Sequence, residues 1–266
     1  MIQIGTQKIA FDDCGAGHSL LLLTGLGSSR FGWWKQIAPF AEKFRVVAMD
    51  HRDAGESGRA TEAYTIDDMA NDAAGVIQNL GLTPTFVLGY SMGGFIALTL
   101  TLQHPELVDK LILVSTSAGG PAHVHPAPAD AALLARIPGE DKETRVRRTQ
   151  HLLTGAKYIA PDDMDELVDH ARRVPQSDEA YTRQVGAAMA FHVGDAHARL
   201  NEIRVPTLVI HGDADPVVPY ANGQALAANI PNAKFITLAG VGHLPRLEAT
   251  QEFNRAVIEF LSASQS

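Results

Sequence analysis

The stretch Thr85–Leu100, TFVLGYSMGGFIALTL, decides the fold. It begins with a short apolar run typical of a buried strand and continues as an apolar helical pattern. Gly89, Gly93 and Gly94 surround Ser91 at the junction. Small residues two before and two after Ser91 relieve crowding where a strand turns directly into a helix. The glycines alone are compatible with a purely structural turn, or with a turn that presents Ser91 as a nucleophile beside the positive end of a helix.

Short apolar runs of the same kind recur along the chain. Besides Thr85–Tyr90 they are Ser19–Gly25, Phe44–Asp50, Lys110–Ser115, Thr207–Gly212 and Lys234–Ala239. Such near-continuous apolar runs indicate strands that are buried on both faces. Helical patterns lie between them, for example the run that follows a Thr65/Asp68 capping box and ends at Gly81. This alternation predicts a doubly wound, mostly parallel α/β sheet.

The alternation fails once, between residues 119 and 204, where polar helical patterns follow a loop. We interpret this segment as a helical cap inserted between two parts of one core, residues 1–118 and 205–266. An insertion at the carboxyl ends of parallel strands lies where ligands bind in open α/β sheets. The alternative is an insertion that has no role in ligand binding.

Composition excludes several classes of function. The chain has 266 residues and a formal net charge of −8, which disfavours binding to nucleic acid or to an anionic membrane. Cys14 is the one cysteine and cannot form an internal disulfide. His123 and His125 have no third ligand at a helpful spacing, so we predict no metal and no cofactor. The first residues lack the pattern of a signal peptide, and we expect a soluble, cytoplasmic protein.

A neutral serine needs a base, and His243 is the best candidate among eleven histidines. It follows the last predicted strand in LAGVGHLPRLE, on a loop that can place an imidazole over the sheet edge. The preceding strand is followed by two carboxylates, Asp213 and Asp215, and a role for the Asp213 side chain in stabilising the turn alone is an alternative to catalysis. We choose Asp215 as the residue that orients His243. The order Ser91, Asp215, His243 is that of one catalytic-triad lineage.

The oxyanion of an acyl-transfer reaction needs two backbone N–H donors. Met92, directly after the predicted nucleophile, and Leu26, after the strand SLLLLTG, are the candidates. Gly25 belongs to the same predicted pocket. Trp33 and Trp34 follow this loop, and lining of the acyl pocket and packing of the next helix are equally good readings of them.

With these motifs in place, the sequence resembles the α/β-hydrolase family over nearly its whole length. The loop DHRDAGES (Asp50–Ser57), the acid loop HGDADPVVP and the histidine loop GVGHLPRLE each resemble a family motif. Two positions depart from the family pattern. Thr24 stands where a histidine that supports the oxyanion loop is usual, and Asp53 stands where a glycine is usual.

The resemblance implies a serine hydrolase that cleaves a small carboxylic ester through an acyl-enzyme intermediate. DHRD is similar to the anthracycline methyl esterase branch, whereas SMGG and LILVSTSAGG are similar to the 3-oxoadipate enol-lactonase branch. Ser91 argues against the dehalogenases and epoxide hydrolases of this fold, which use an aspartate. Lactonase, C–C bond hydrolase and cofactor-free perhydrolase chemistry stay open, and so does a ligand-sensing receptor with an intact triad.

Overall fold

The computed structural model describes residues 1–130, 135–137, 139–155, 160–173 and 176–263. Its main element is a seven-stranded sheet of order β3-β5-β4-β6-β7-β8-β9, in which only the β3–β5 pair is antiparallel. The strands are β1 Ile2–Ile4, β2 Gln7–Ile9, β3 Phe11–Gly15, β4 Ser19–Leu23, β5 Arg45–Met49, β6 Thr85–Tyr90, β7 Val108–Val114, β8 Thr207–Gly212 and β9 Lys234–Leu238. The predicted α/β class with a mostly parallel sheet is therefore confirmed.

Helices lie between the strands. They are α1 Trp34–Ala41, α2 Ile66–Asn79, α3 Met92–Gln103, α4 Lys142–Leu153, α5 Pro161–Arg173, α6 Asp178–His192, α7 Ala221–Asn229, α8 Pro245–Glu248 and α9 Thr250–Ser262, with 3-10 turns at Arg30–Trp33, Pro105–Leu107 and Ala196–Glu202. None of the helices in the described ranges is long and apolar enough to cross a membrane.

The sheet is covered on both faces, which explains the continuous apolar runs. In β4, Leu21 and Leu23 pack into a core with α2 and α3, whereas Leu20 and Leu22 pack into a second core with α1 and α9. A strand between two cores has no face for polar residues. By contrast, the edge strand β3 exposes most of its side chains, and its polar sequence carries no comparable signal.

Local signals also set the helix ends. At the start of α2, the Thr65 hydroxyl accepts a hydrogen bond from the backbone of Asp68 at 3.2 Å. The Asp68 carboxylate accepts one from the Thr65 backbone at 2.8 Å. This reciprocal capping box is the one that the sequence predicts.

Between residues 119 and 204 the described residues form α4, α5, α6 and a 3-10 turn, and none of them forms a strand. These helices lie in the chain between β7 and β8, at the carboxyl ends of parallel strands. The division into a cap and a two-part core stays a prediction.

Candidate active site

Ser91 lies in the turn between β6 and α3, with φ 54° and ψ −122°. A positive φ is unfavourable for a residue with a side chain and is typical of strained functional turns. Added side-chain carbons would collide at two of the glycines, because Gly89 would meet the backbone of Gly93 and Gly93 would meet the backbone of Leu23. The glycines therefore permit the close packing of α3 on the sheet, and the turn holds Ser91 at the strand end.

The structure brings the three predicted triad residues together. His243 Nδ1 lies 2.9 Å from Asp215 Oδ2, and His243 Nε2 lies 3.1 Å from Ser91 Oγ. A hydrogen on Nδ1 that is donated to the carboxylate leaves the Nε2 lone pair free to accept the Ser91 proton. Both Asp215 and His243 are buried. The arrangement is suited to activating a hydroxyl as a nucleophile.

Asp215 is held by more than His243. The backbone N–H groups of Val217 and Val218 each donate to its Oδ1 at 2.9 Å, and His211 Nε2 lies 3.4 Å from its Oδ2. Burial opposes ionisation of this carboxyl, but the His243 charge and the hydrogen bonds from His211 and His243 outweigh burial and hold the pKa of Asp215 well below its ordinary value. An ionised Asp215 can fix the tautomer of His243.

The rival carboxylate, Asp213, has a different partner. Its Oδ1 accepts a hydrogen bond from the backbone N–H of Gly240 at 2.7 Å, and its side chain is exposed. Asp213 therefore stabilises the loop that follows β9, which agrees with the alternative that its role is structural.

Glu248 organises the backbone of the histidine loop, a role that sequence reasoning missed. Its carboxylate accepts hydrogen bonds from the N–H groups of Gly242 at 2.9 Å, Leu244 at 3.0 Å and Gly155 at 2.8 Å. Burial raises the pKa of Glu248 above its ordinary value, although these three hydrogen bonds oppose that rise. The available signal was its position five residues after His243 in GVGHLPRLE.

One predicted oxyanion donor, Met92, directly follows Ser91 in the chain, and the residue before the other, Gly25, lies close to Ser91. Met92 begins α3, and a carbon added to Gly25, next to Leu26, would lie 3.2 Å from Ser91 Cβ. Neither the Leu26 nor the Met92 N–H donates a hydrogen bond within the described part of the chain. Free N–H groups at a helix start are available to an anion. Their role as oxyanion donors stays a prediction.

The oxyanion loop is held from both sides. His51 Nε2 lies 3.0 Å from the carbonyl oxygen of Thr24, and the N–H of Gly27 donates to Gln184 Oε1 at 3.0 Å. Gln184 is fully buried on α6 and also donates to the carbonyl of Arg52 at 3.1 Å. Although Thr24 departs from the family pattern, His51 and Gln184 thus fix the ends of this loop.

Replacing Gln184 by leucine is expected to lower kcat by about tenfold or more, because the loop that carries the predicted oxyanion donor Leu26 loses its contact at Gly27. Complete loss of one oxyanion donor lowers the rate by about 100- to 1,000-fold, and a displaced donor should cost part of that. The unpaired Gly27 N–H also costs about 1–3 kcal/mol of unfolding free energy. Steady-state kinetics and denaturant unfolding measure both effects. Leucine at exposed Gln224 on α7 is the matched control. An unchanged kcat in Gln184→Leu would show that the contact does not position the loop.

Asp53 stands where the family usually has a glycine, and its backbone has a positive φ of 65°, a conformation that glycine adopts easily. Its buried carboxylate accepts hydrogen bonds from Arg183 Nε at 2.7 Å and Arg183 Nη2 at 2.9 Å, and from the N–H of Ala60 at 3.0 Å. Aspartate tolerates this region better than most residues. The Asp53–Arg183 pair joins the loop after β5 to α6, next to Gln184.

Acidification is expected to destabilise the protein through His51. Burial lowers the pKa of His51 to about 4, against a hydrogen bond to Thr24 that raises it. Between pH 6.5 and 4 the unfolded chain therefore binds a proton that folded His51 does not, and the free energy of unfolding falls as pH falls. Urea titrations should show a shallower fall in His51→Gln than in the wild type. Equal slopes would contradict a buried neutral His51.

A cavity of about 340 Å³ opens beside the triad, and its lining includes Gly25, Leu26, Ser91 and His243. Trp33 is fully buried against Tyr90, with ring centroids 6.3 Å apart. The companion Trp34 lies 5.0 Å from the ring of His170. Since neither tryptophan is among the described lining residues, the structure favours their packing role.

His123 and His125 are not among the described residues that line the cavity. The two rings are 4.6 Å apart, and the ring of His192 stacks on His123 at 4.3 Å. Burial, together with the neighbouring His192 and His125, lowers the pKa of His123 to about 4. Within the described ranges no group of three or more His, Cys, Asp or Glu side chains has an arrangement that could hold a metal ion.

The family model described as alpha/beta hydrolase fold matches residues 18–250. The protein named "Putative carbamate hydrolase RutD" of Caulobacter segnis is 33% identical over 255 residues, which cover 94% of this chain and 93% of the relative.

Two further proteins that are similar to this chain are named for other reactions. The 2-hydroxy-6-oxononadienedioate/2-hydroxy-6-oxononatrienedioate hydrolase of Paraburkholderia phymatum is 30% identical over 279 residues, with 98% of this chain and 93% of the relative covered. The solved structure of Est816, described as an N-acyl homoserine lactone degrading enzyme, superimposes with a TM-score of 0.78 at 29% identity, covering 97% of this chain and 99% of that one.

Proposed function

This chain belongs to the α/β-hydrolase fold family and is a hydrolase, and from that premise we propose that it cleaves carboxylic esters of small molecules through an acyl-enzyme intermediate. The observation that carries the proposal is the hydrogen-bonded chain Ser91–His243–Asp215, with contacts of 3.1 Å and 2.9 Å. A nucleophile, a base and a group that orients the base form one catalytic unit in this arrangement.

In the proposed first step, Ser91 Oγ attacks the ester carbonyl carbon while its proton passes to His243 Nε2. The tetrahedral oxyanion is bound by the N–H groups of Leu26 and Met92, and ionised Asp215 stabilises the imidazolium. The imidazolium then protonates the leaving alcohol as the carbon–oxygen bond breaks, and an acyl group remains on Ser91.

In the second step, His243 removes a proton from water, and the resulting hydroxide attacks the acyl carbon. The tetrahedral intermediate collapses, His243 returns the proton to Ser91 Oγ, and the carboxylic acid leaves. The cavity beside Ser91 can hold a small substrate.

Lactone hydrolysis is a second candidate, because the solved relative at 29% identity is described as a lactone-degrading enzyme. A lactone is an internal ester, and the same steps open its ring without loss of a separate alcohol. The names of the 30% and 33% identical relatives add C–C bond hydrolysis and carbamate hydrolysis as further candidates. Attack by Ser91 on a carbamate would give a carbamoyl-enzyme in place of the acyl-enzyme.

A substrate panel tests the proposal. It contains p-nitrophenyl esters of graded acyl length, γ- and δ-lactones, aryl carbamates, a dienoate C–C substrate and peroxide-dependent halogenation. We expect ester turnover in the range of typical enzymes, about 1–1,000 s⁻¹. Activity confined to another member of the panel would contradict ester hydrolysis. Turnover far below ~1 s⁻¹ on every substrate would favour a ligand-sensing role.

A further inference from the structure

Three arginines line the cavity beside the triad, in a chain whose net charge is −8, and one of them, Arg136, forms an ion pair with Asp178. The described lining of the cavity includes Arg136, Arg145 and Arg246, and not one aspartate or glutamate of the described residues. A cleft lined by charges of one sign raises the local concentration of ligands of the opposite sign. The pocket is thus suited to an anionic ligand although the whole chain repels one.

Arg246 is the most deeply placed of the three arginines, with 5% of its surface exposed. Its Nε donates to the carbonyl of Gly32 at 3.1 Å, but its buried Nη1 has no hydrogen-bond partner. No carboxylate in the described part of the chain forms an ion pair with it. A buried cation with an unused donor is costly unless an anion completes it.

Arg246 also lies near the reacting groups. Its guanidinium carbon is 4.6 Å from the ring centroid of Tyr90, and that ring is 5.3 Å from the ring of His243. Burial lowers the pKa of Arg246, whereas the neighbouring Tyr90 hydroxyl raises it. An arginine stays protonated even so. The ring of Tyr90 therefore lies close to both Arg246 and His243.

The cap side of the cavity adds a second incompletely paired cation. The Arg145 guanidinium lies 4.8 Å from the Tyr181 ring and has no ion pair with any residue that the structure describes. The nearby carboxylate of Glu140 is occupied by Arg148, at 2.6 Å. Arg145 and Arg246 thus leave positive charge on two walls of the cavity.

We propose that the substrate carries a carboxylate in addition to its scissile carbonyl, and that the guanidinium of Arg246, which lines the cavity, binds this carboxylate. The inference rests on the proposed function and names its substrate class: half-esters of dicarboxylic acids, or lactones that bear a carboxylate. Arg145 attracts the same anion from the cap side. The short path from Arg246 through Tyr90 to His243 favours a carboxylate a few bonds from the carbonyl carbon.

The test uses mono-p-nitrophenyl esters of C4 to C7 dicarboxylic acids, which carry a free carboxylate. Each is compared with the mixed diester in which that carboxylate is a methyl ester, after subtraction of the rate without enzyme. The wild type is expected to show a kcat/KM at least tenfold higher for the anion than for its methyl-capped partner at one or more lengths. In Arg246→Gln that ratio should fall by about 10- to 150-fold, the range for hydrogen bonds to charged groups. Arg204→Gln, an exposed arginine outside the cavity lining, is the matched control.

A ratio of one or less at every length in the wild type would overturn the proposal. So would an Arg246→Gln protein that keeps the ratio, including the case in which Arg145→Gln abolishes it instead. Hydrolysis of the capped esters without preference for the anions leaves the proposed function standing and contradicts only this inference.

A binding measurement covers two further cases, an Arg246→Gln protein that does not fold and an absence of ester turnover. Monomethyl adipate should raise the unfolding temperature of the Ser91→Ala protein, and dimethyl adipate should not. A protein that carries Arg246→Lys in addition keeps the positive charge, and it should retain part of the rise in unfolding temperature. No shift with the monoester would overturn the proposal independently of any turnover.

Discussion

Replacing Ser91 by alanine is expected to lower kcat on p-nitrophenyl esters by about 10⁴- to 10⁶-fold. The alanine removes the oxygen that His243 Nε2 contacts at 3.1 Å, so the acyl-enzyme cannot form. A residual rate of about 10³- to 10⁴-fold over water is expected, because the oxyanion donors and the cavity still bind the transition state. Steady-state kinetics over several substrate concentrations measures the loss.

The control for this variant is a serine outside the site. Ser177 caps α6 and accepts a hydrogen bond from the N–H of Ala180 at 3.2 Å. Ser177→Ala should leave kcat within a fewfold of the wild type. If Ser91→Ala kept more than a tenth of the activity, the nucleophile would have to be another residue.

Replacing Asp215 by asparagine is expected to cost about 10⁴-fold in kcat, almost as much as loss of the serine. An asparagine amide keeps the size of the side chain but cannot accept the Nδ1 hydrogen of His243 as a carboxylate does. It therefore favours the wrong tautomer and no longer stabilises the imidazolium. Kinetics and circular dichroism together separate this loss from misfolding.

Asp213 supplies a matched control two residues away. Its carboxylate binds the Gly240 N–H at 2.7 Å instead of the histidine. Asp213→Asn should lose less than tenfold in kcat and a small amount of stability. A larger loss in Asp213→Asn than in Asp215→Asn would reverse the assignment of the acid.

The fold and the convergence of Ser91, Asp215 and His243 could be predicted because their signals are local. Each strand that is buried on both faces shows its own apolar run, and Ser91 and Asp215 each follow such a strand. His243 follows β9, which lies at the edge of the sheet and exposes Lys234 and Thr237. Parallel strands place their carboxyl ends along one edge, so three separate loops converge without any further information.

The contacts that complete the site could not be predicted, because they join residues that are far apart in the chain. Gln184 reaches Gly27 across 157 positions, and Arg246 reaches Gly32 across 214. Neither side chain belongs to a periodic pattern or a spacing that reveals its partner. The absence of aspartate and glutamate from the described lining of the cavity could not be predicted either, because residues from distant parts of the chain form that lining.

The central claim is that His243 activates Ser91 to form an acyl-enzyme. Acid quenching of the reaction with a slowly hydrolysed p-nitrophenyl ester, followed by mass spectrometry of the digested protein, tests it most directly. The account predicts one acyl group per chain, on the peptide that contains Ser91, and a strong loss of that acylation in His243→Ala. Acylation of a different residue, or undiminished acylation of Ser91 without His243, would contradict it.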